Sequence, residues 1–137
     1  MTSDEMKKRN AQEPASHGRR ILVVEDEVLI RLLLCEALRD EGYEVIEACN
    51  GDEAANILTA GVIFDLVLSD VRMPGTLDGI GLIDFIRHHQ PWLPVILTSA
   101  HLGFETAISA GARRFIRKPY EIEKLLHLIE LELAEPE

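Results

Sequence analysis

The chain has 137 residues, of which 47% are hydrophobic and 28% charged, and its formal net charge at pH 7 is −10. This length and composition predict one soluble globular domain, large enough to bury a core without disulfide bonds or a structural metal. The acidic balance argues against direct binding of nucleic acid, because phosphate backbones are bound by a surplus of lysine and arginine.

The sequence also bears on the cell compartment. Cys35 and Cys49 form no CxxC pair and have no histidine at the spacing of a zinc site, so we expect both to behave as small apolar residues. Residues 1–20 lack the apolar core of a signal peptide, and no apolar run approaches the length of a membrane span, about 18 residues. We therefore expect a cytoplasmic protein that does not bind membranes.

Residues 1–18 are polar and aperiodic, which is typical of a flexible N-terminal tail, and residues 19–137 then form one domain. Within this domain, short apolar runs alternate with longer amphipathic ones. The short runs predict five strands, at residues 21–25, 43–48, 65–69, 94–98 and 113–117. The longer runs predict helices near residues 28–41, 52–60, 79–90, 103–110 and 121–134. Five strand–helix units in series are typical of an α/β fold in which a doubly wound, five-stranded parallel sheet has helices on both faces.

The last predicted helix carries apolar residues in two groups. One stripe at helical spacing predicts the core-facing side, and it comprises Ile122, Leu125, Leu126, Ile129 and Leu133. Leu128 and Leu131 fall off this stripe, so we expect both to be exposed on a contact surface. Arg113 and Arg117 on the preceding strand, with acidic residues on the helix that include Glu132, give this surface both charge signs. We expect it to bind a partner protein or a second copy of the chain.

Polar side chains follow the predicted strands at the points where the strands end. Glu25 and Asp26 stand at the end of the first predicted strand, and Asp70 follows the third. Thr98 stands at the end of the fourth, and Lys118 follows the fifth. Right-handed crossovers bring the carboxyl ends of parallel strands to one edge, so we expect these residues to meet. Crowded carboxylates resist ionisation unless a cation compensates them, and oxygen ligands suit Mg²⁺ better than zinc or copper.

The remaining residues at this edge indicate phosphate chemistry. Lys118 offers a point charge to a phosphate-like oxygen, and Thr98 offers a hydroxyl hydrogen to another. Asp70, at the centre of the edge, is then a candidate nucleophile toward phosphorus, and the product of its attack is an acyl phosphate.

Four segments carry a family resemblance: VVEDE, LSDVRMPG, LTS and RKPY occur in this order, each at a strand end. On the basis of these segments, the sequence resembles the receiver domain of two-component response regulators over residues 19–134. The resemblance implies the flavodoxin-like strand order 2-1-3-4-5 and Asp70 as the phosphoacceptor. It implies Mg²⁺ bound by Glu25, Asp26, Asp70 and the main-chain carbonyl of Arg72. It also implies phosphoryl contacts from Thr98 and Lys118.

The same resemblance implies a signalling role. Such a domain takes a phosphoryl group from a sensor histidine kinase or a histidine phosphotransfer protein and turns over no metabolite, so we do not expect an enzyme in the ordinary sense. Because the chain ends soon after its last predicted helix, we expect no output domain and a signal passed to a separate partner.

The sequence departs from the family pattern at two points. The segment MPGTLDG, Met73 to Gly79, is one residue longer than the commonest loop after the phosphoacceptor, which leaves the path of this loop open. Phe115 stands where the family has a rotating aromatic residue and lacks a phenolic hydroxyl. We therefore expect a switch through Thr98 and Phe115 that works by packing alone.

Three other functions are weaker readings of the sequence. A small Mg²⁺-dependent phosphatase of the haloacid dehalogenase kind also uses an aspartate nucleophile, but it requires a second acid two residues later, where Arg72 stands. A flavin mononucleotide carrier would place the acids of the EDEV segment against a phosphate, which electrostatics disfavours. A P-loop GTPase is excluded because the chain has no GxxxxGK[ST] motif.

Overall fold

A computed structural model of the protein describes residues 18–134, and most of the predicted tail lies outside this range. The strands are β1 (Arg20–Val24), β2 (Glu44–Ala48), β3 (Leu66–Asp70), β4 (Val95–Ser99) and β5 (Arg114–Arg117). The helices are α1 (Val28–Asp40), α2 (Gly51–Thr59), α3 (Gly79–His89), α4 (Phe104–Ala110) and α5 (Ile122–Ala134). Every bound lies within one residue of its prediction.

The five strands form one parallel sheet in the order β2-β1-β3-β4-β5, as predicted. Successive side chains of a strand point to opposite faces, so β1 supplies Leu22 and Val24 to one core and Ile21 and Val23 to the other. The first core is closed by α2, α3 and α4, and the second by α1 and α5. All residues of β3 and β4 are buried, which fixes the sheet edge where these strands end.

Helix α5 follows the predicted stripe, with one correction. Leu125 and Ile129 are buried, and Leu131 is 42% exposed as expected. The expectation that Leu128 is exposed is wrong, because its side chain is partly buried and packs against the core beneath α1 and α5. Leu128 stands three residues after Leu125 and four before the buried Glu132, so it shares their side of the helix.

Charged side chains near α5 form more ion pairs within the chain than expected. Glu132 is only 6% exposed, and its carboxylate pairs with Arg114 at 2.7 Å and with Arg113 at 3.2 Å. These ion pairs attach the last turns of α5 to the first residue of β5 and to the residue before it. Arg117 is exposed and donates to the carbonyl of Ala100 at 3.3 Å. A contact between two copies therefore cannot rest on a free Glu132.

The cysteines have different environments. Cys35 lies fully buried on α1, as expected for a small apolar residue. The same expectation is wrong for Cys49, which is exposed because it lies in the turn before α2. Among residues 18–134, no helix combines the length and the apolar content needed to cross a membrane.

Candidate functional site

Three carboxylates meet at the carboxyl edge of the sheet. Glu25 and Asp26 directly follow β1, and Asp70 ends β3, the neighbouring strand. One oxygen from each side chain lies within 4.8 Å of the others. Glu25 is 2% exposed and Asp70 is 9% exposed, so two of the three carboxylates are nearly withdrawn from water. The predicted convergence of these residues is confirmed.

Lys118 lies among these carboxylates. Its ammonium nitrogen is 2.9 Å from Oδ2 of Asp70 and 3.4 Å from Oε1 of Glu25. The backbone N–H of Lys118 donates to the carbonyl of Ser99 at 2.9 Å, which extends the pairing of β4 and β5 by one residue and fixes the base of the side chain. Three carboxylates and one ammonium leave two formal negative charges, which matches a divalent cation with oxygen ligands.

Asp70 is held at both carboxylate oxygens. While Oδ2 accepts from Lys118, Oδ1 accepts the backbone N–H of Val71 at 2.8 Å. Thr98 is the partner of Asp70 in the β3–β4 register and is 2% exposed. Phe115 pairs with Leu97, one residue before Thr98, and is partly buried against the core of α2, α3 and α4. The predicted switch residues therefore lie on successive strands beside Asp70.

Burial and charge shift the pKa values of two groups in the site. Burial raises the pKa of Glu25, and the charge of Asp70 adds to this rise, whereas the N–H of Glu27 and the ammonium of Lys118 oppose it. Burial alone would lower the pKa of Lys118, but its hydrogen bonds and charge interactions with Asp70 and Glu25 outweigh burial and raise it. Lys118 is therefore a stable internal cation in the site.

The loop after Asp70 takes a path that the sequence left open. Residues 71–78 join β3 to α3, and the N–H of Gly79 donates to the carbonyl of Val71 at 2.8 Å, which closes the loop at its base. Arg72 lies in this loop with an exposed side chain. Its main-chain carbonyl, the expected metal ligand, is two residues beyond Asp70.

Arg31 is a contact residue that the sequence reasoning missed. Its Nη1 donates to the main-chain carbonyl of Glu25 at 2.8 Å, and its Nε donates to Oε1 of Glu47 on β2 at 3.2 Å. Arg31 thus ties the segment that bears the acids to a neighbouring strand. No sequence spacing indicates this contact, because it depends on how α1 lies over β2.

The outer surface of α1 is unusually apolar and was also missed. Its exposed side chains, with exposed fractions of 50% to 75%, are Val28, Leu29, Leu32 and Leu33. Beside them runs a groove of about 460 Å³, the α1 groove, lined by Ile30, Leu33, Leu34, Ala100, Lys118, Pro119, Tyr120 and Ile122. The segment VLIRLLL has more apolar residues than one buried stripe of a helix can use, and this excess was the available signal.

The sequence is similar to known proteins over most of its length. The family described as response regulator receiver domain matches residues 21–130. An NtrX-like response regulator of Rickettsia conorii is 37% identical over 113 residues, and the DNA-binding transcriptional regulator NtrC of Salmonella typhimurium is 38% identical over 113 residues. Each alignment covers 80% of this chain and 24% of the relative. The chain thus spans about a quarter of the length of these curated relatives, and the absence of an output domain stays a prediction.

Solved structures agree with the sequence relatives. The receiver domain of NtrX from Brucella abortus is 40% identical with a TM-score of 0.76, covering 85% of this chain and 99% of that one. TrrA of Thermotoga maritima, solved in complex with Mg²⁺-BeF, is 35% identical with a TM-score of 0.76, covering 84% and 99%. The strand order agrees with these matches, as do the acids at the strand ends. The chain therefore belongs to the receiver-domain family of response regulators, of the NtrX and NtrC type.

Proposed function

We propose that this receiver domain accepts a phosphoryl group on Asp70 in an Mg²⁺-dependent reaction. The observation that carries the proposal is the arrangement of Asp70, which ends a buried strand between two further carboxylates and the ammonium of Lys118 at 2.9 Å. The phosphodonor is a phosphohistidine on a sensor histidine kinase or a phosphotransfer protein. The domain acts in the cytoplasm and turns over no metabolite.

The transfer is a displacement at phosphorus. A carboxylate oxygen of Asp70 attacks the phosphorus atom, the bond from phosphorus to the histidine nitrogen breaks, and the imidazole leaves with that electron pair. The N–H of Val71 and the ammonium of Lys118 orient the carboxylate before the attack. In the product, Lys118 donates to a phosphoryl oxygen, and Thr98 on the next strand supplies a hydroxyl hydrogen.

The residues of the site suit Mg²⁺. Glu25, Asp26 and Asp70 supply carboxylate oxygens, and Arg72 supplies its main-chain carbonyl. When bound, Mg²⁺ neutralises the negative charge that the incoming phosphoryl oxygens bring to an already acidic site. The crystal structure of TrrA with Mg²⁺-BeF supports this assignment, because that protein shares the fold and 35% of its residues with this one.

The apolar surface of α1 supports a protein as the phosphodonor. A phosphohistidine on a folded protein reaches Asp70 only if a surface beside the site accepts that protein. Lys118 itself lines the α1 groove, together with Leu33 and Leu34. An apolar surface of this kind next to a charged site suits a partner whose helix carries apolar residues around the histidine.

We propose that the signal leaves through a different surface of the domain, formed by α4, β5 and α5. A phosphoryl group on Asp70 draws Thr98 inward, Phe115 follows by packing, and the surface of α4, β5 and α5 changes its binding preference.

This surface of α4, β5 and α5 presents Leu131 and Arg117, and Glu132 holds Arg113 toward α5. The exposed side chains of Phe104 and Ile108 on α4 add apolar area and support its use for binding. Leu128 supports this surface from beneath. The partner is a separate protein or a second copy of the chain.

One experiment tests the phosphoacceptor directly. The protein is incubated with acetyl phosphate, or with phosphorylated candidate kinases, with and without Mg²⁺, and the labelled residue is identified by mass spectrometry. We expect one Mg²⁺-dependent phosphoryl group that is lost in base, and none in Asp70→Asn. Undiminished labelling of that variant at a single site contradicts the proposal. Steady release of phosphate from small phosphate esters would favour the phosphatase alternative instead.

A further inference from the structure

The loop between β3 and α3 is anchored at its tip as well as at its base. At the tip, Oδ2 of Asp52, in the first turn of α2, accepts the backbone N–H of Thr76 at 2.8 Å. This contact joins residues that are 24 positions apart in the chain. The acceptor is a carboxylate, and a hydrogen bond to an ionised acceptor is stronger than one between neutral groups.

Glycines allow α2 and the loop to approach this closely. Gly75 has φ +103°, and a Cβ atom there would lie 2.6 Å from Oδ2 of Asp52. A Cβ atom on Gly51 would lie 2.4 Å from the carbonyl oxygen of Leu77. A side chain at Gly51 would push the backbone of the loop away from α2, whereas one at Gly75 would displace the Asp52 carboxylate and would need a backbone conformation that other residues rarely adopt.

Asp52 is not needed to begin its own helix. The side chain of Asn50 caps α2 by accepting the N–H of Glu53 at 2.8 Å, and the Glu53 carboxylate in turn accepts the N–H of Cys49 at 2.7 Å. This reciprocal pair completes the helix start. The hydrogen bond of Asp52 is directed outward to the loop, so its role concerns the loop.

We propose that Asp52 is a positioning residue for the Mg²⁺ site, and this inference rests on the proposed function above. The carbonyl of Arg72 lies between the base of the loop, closed by Val71 and Gly79, and the tip held by Asp52. With both ends fixed, the carbonyl is oriented before the metal arrives, so metal binding does not have to order the loop. Through this contact, α2 sets the Mg²⁺ affinity of a site whose loop is one residue longer than the commonest loop of the family.

The test compares Asp52→Ala, Asp52→Asn and Glu53→Gln in the full chain. Asparagine retains an oxygen that accepts the Thr76 N–H, and Glu53→Gln removes the same charge from the same helix turn while keeping an oxygen that accepts the Cys49 N–H. Mg²⁺ affinity is measured by calorimetry, and hydrogen exchange of the Thr76 amide is measured without metal. Labelling of Asp70 by acetyl phosphate is followed at low and at saturating Mg²⁺.

We expect Asp52→Ala to weaken Mg²⁺ binding about fivefold, somewhat less than direct partners of metal ligands do, because it acts through the loop. The Thr76 amide should exchange faster in this variant, and the labelling rate should recover at saturating Mg²⁺. Asp52→Asn and Glu53→Gln should both stay close to wild type.

Two results would overturn the inference alone. Equal Mg²⁺ affinity in the wild type and in Asp52→Ala would show that the contact does not set metal binding. Equal weakening in Glu53→Gln would assign the effect to the charge of α2. In either case the wild type still binds Mg²⁺, so the proposed function stands. Absence of Mg²⁺ binding by the wild type would overturn the proposed function, and this inference with it.

Discussion

The ammonium nitrogen of Lys118 donates to Oδ2 of Asp70 at 2.9 Å, although 48 residues of sequence and the whole of β4 separate the two residues. The same nitrogen lies 3.4 Å from Oε1 of Glu25. Before phosphorylation, Lys118 is therefore a counter-ion for the acidic cluster. If Asp70 accepts a phosphoryl group as we propose, this hydrogen bond must move from the carboxylate to a phosphoryl oxygen, and Lys118 would then be the first group to respond to the modification.

Replacing Lys118 by alanine should separate metal binding from signalling. We expect undiminished Mg²⁺ affinity, because the variant loses a cation that competes with the metal for the same carboxylates. The conformational response should be lost, since no ammonium then follows the phosphoryl group. Calorimetry measures the affinity, and amide NMR shifts with beryllofluoride measure the response at Thr98 and Phe115.

Lys124→Ala, at an exposed position on α5, is the matched control for this experiment. It should behave as wild type in both measurements. A loss of Mg²⁺ affinity of about tenfold in Lys118→Ala would contradict the interpretation that Lys118 contacts only the carboxylates and the phosphoryl group. The reason is that a point charge of the same sign as Mg²⁺ cannot support Mg²⁺ binding.

Replacing Glu25 by glutamine should stabilise the metal-free protein at neutral pH while removing Mg²⁺ binding. The pKa of Glu25 is raised by burial, so the ionised side chain destabilises the fold at pH 7. As pH falls through this raised pKa toward the ordinary value near 4.5, the wild type takes up its proton and regains that stability. The difference in melting temperature between the two proteins should therefore shrink on acidification.

The control for Glu25→Gln is Glu27→Gln, which removes the same charge from an exposed neighbour. Thermal melts of the three proteins from pH 7 to pH 4.5, with and without Mg²⁺, give the comparison. Only the proteins that retain Glu25 should melt higher when Mg²⁺ is added. A melting temperature of Glu25→Gln below that of the wild type at pH 7, without metal, would show that the pairing with Lys118 outweighs the burial of Glu25.

The sequence predicted the sheet and the residues at its edge because two local signals coincide there. Buried parallel strands are short apolar runs, and the central runs here end directly on polar residues, as at Asp70 and Thr98. The order of these segments then determines which side chains meet.

Contacts that depend on how helices lie over the sheet could not be predicted in this way. The hydrogen bonds of Arg31 to Glu25 and of Asp52 to Thr76 follow no sequence period. The burial of Glu132 was missed because a carboxylate is normally assigned to the solvent side of a helix, and only the structure brings Arg113 and Arg114 to it.

Replacing Leu33 by aspartate should impair phosphotransfer from a protein donor and spare transfer from a small one. Leu33 is 62% exposed at the α1 groove, so the change disturbs little in the core but places a charge where a donor helix packs. We expect the rate with a phosphorylated kinase to fall by about tenfold or more. Acetyl phosphate needs no docking surface, so its rate should stay near that of the wild type.

Leu131→Asp serves as the control for Leu33→Asp, since it places the same charge at an exposed leucine on α5 that does not line the α1 groove. It should leave both transfer rates unchanged. Equal slowing with acetyl phosphate and with the kinase in Leu33→Asp would mean that the substitution damages the site itself, and docking on the α1 groove would be the wrong interpretation.

The complementary prediction concerns the surface of α4, β5 and α5. With beryllofluoride and Mg²⁺, amide shifts should extend from the loops around Asp70 through Phe115 to Leu131, because the displaced ring repacks β5 against its neighbours. Leu131→Asp should then weaken the association that activation induces, measured by sedimentation for self-association or by titration with an identified partner. Leu33→Asp should not, because beryllofluoride bypasses the donor.

Glu132 limits how far α5 can move in this response. Its carboxylate is nearly withdrawn from water and pairs with Arg114 on β5 and with Arg113 just before β5, which favours a change in which α5 and β5 shift together over one in which the helix detaches. Amide shifts at Leu131 should therefore accompany those at Arg114, and both should be absent in Phe115→Ala if the ring transmits the change. Shifts confined to the loops around Asp70, with association unaffected by Leu131→Asp, would contradict a signal that leaves through this surface.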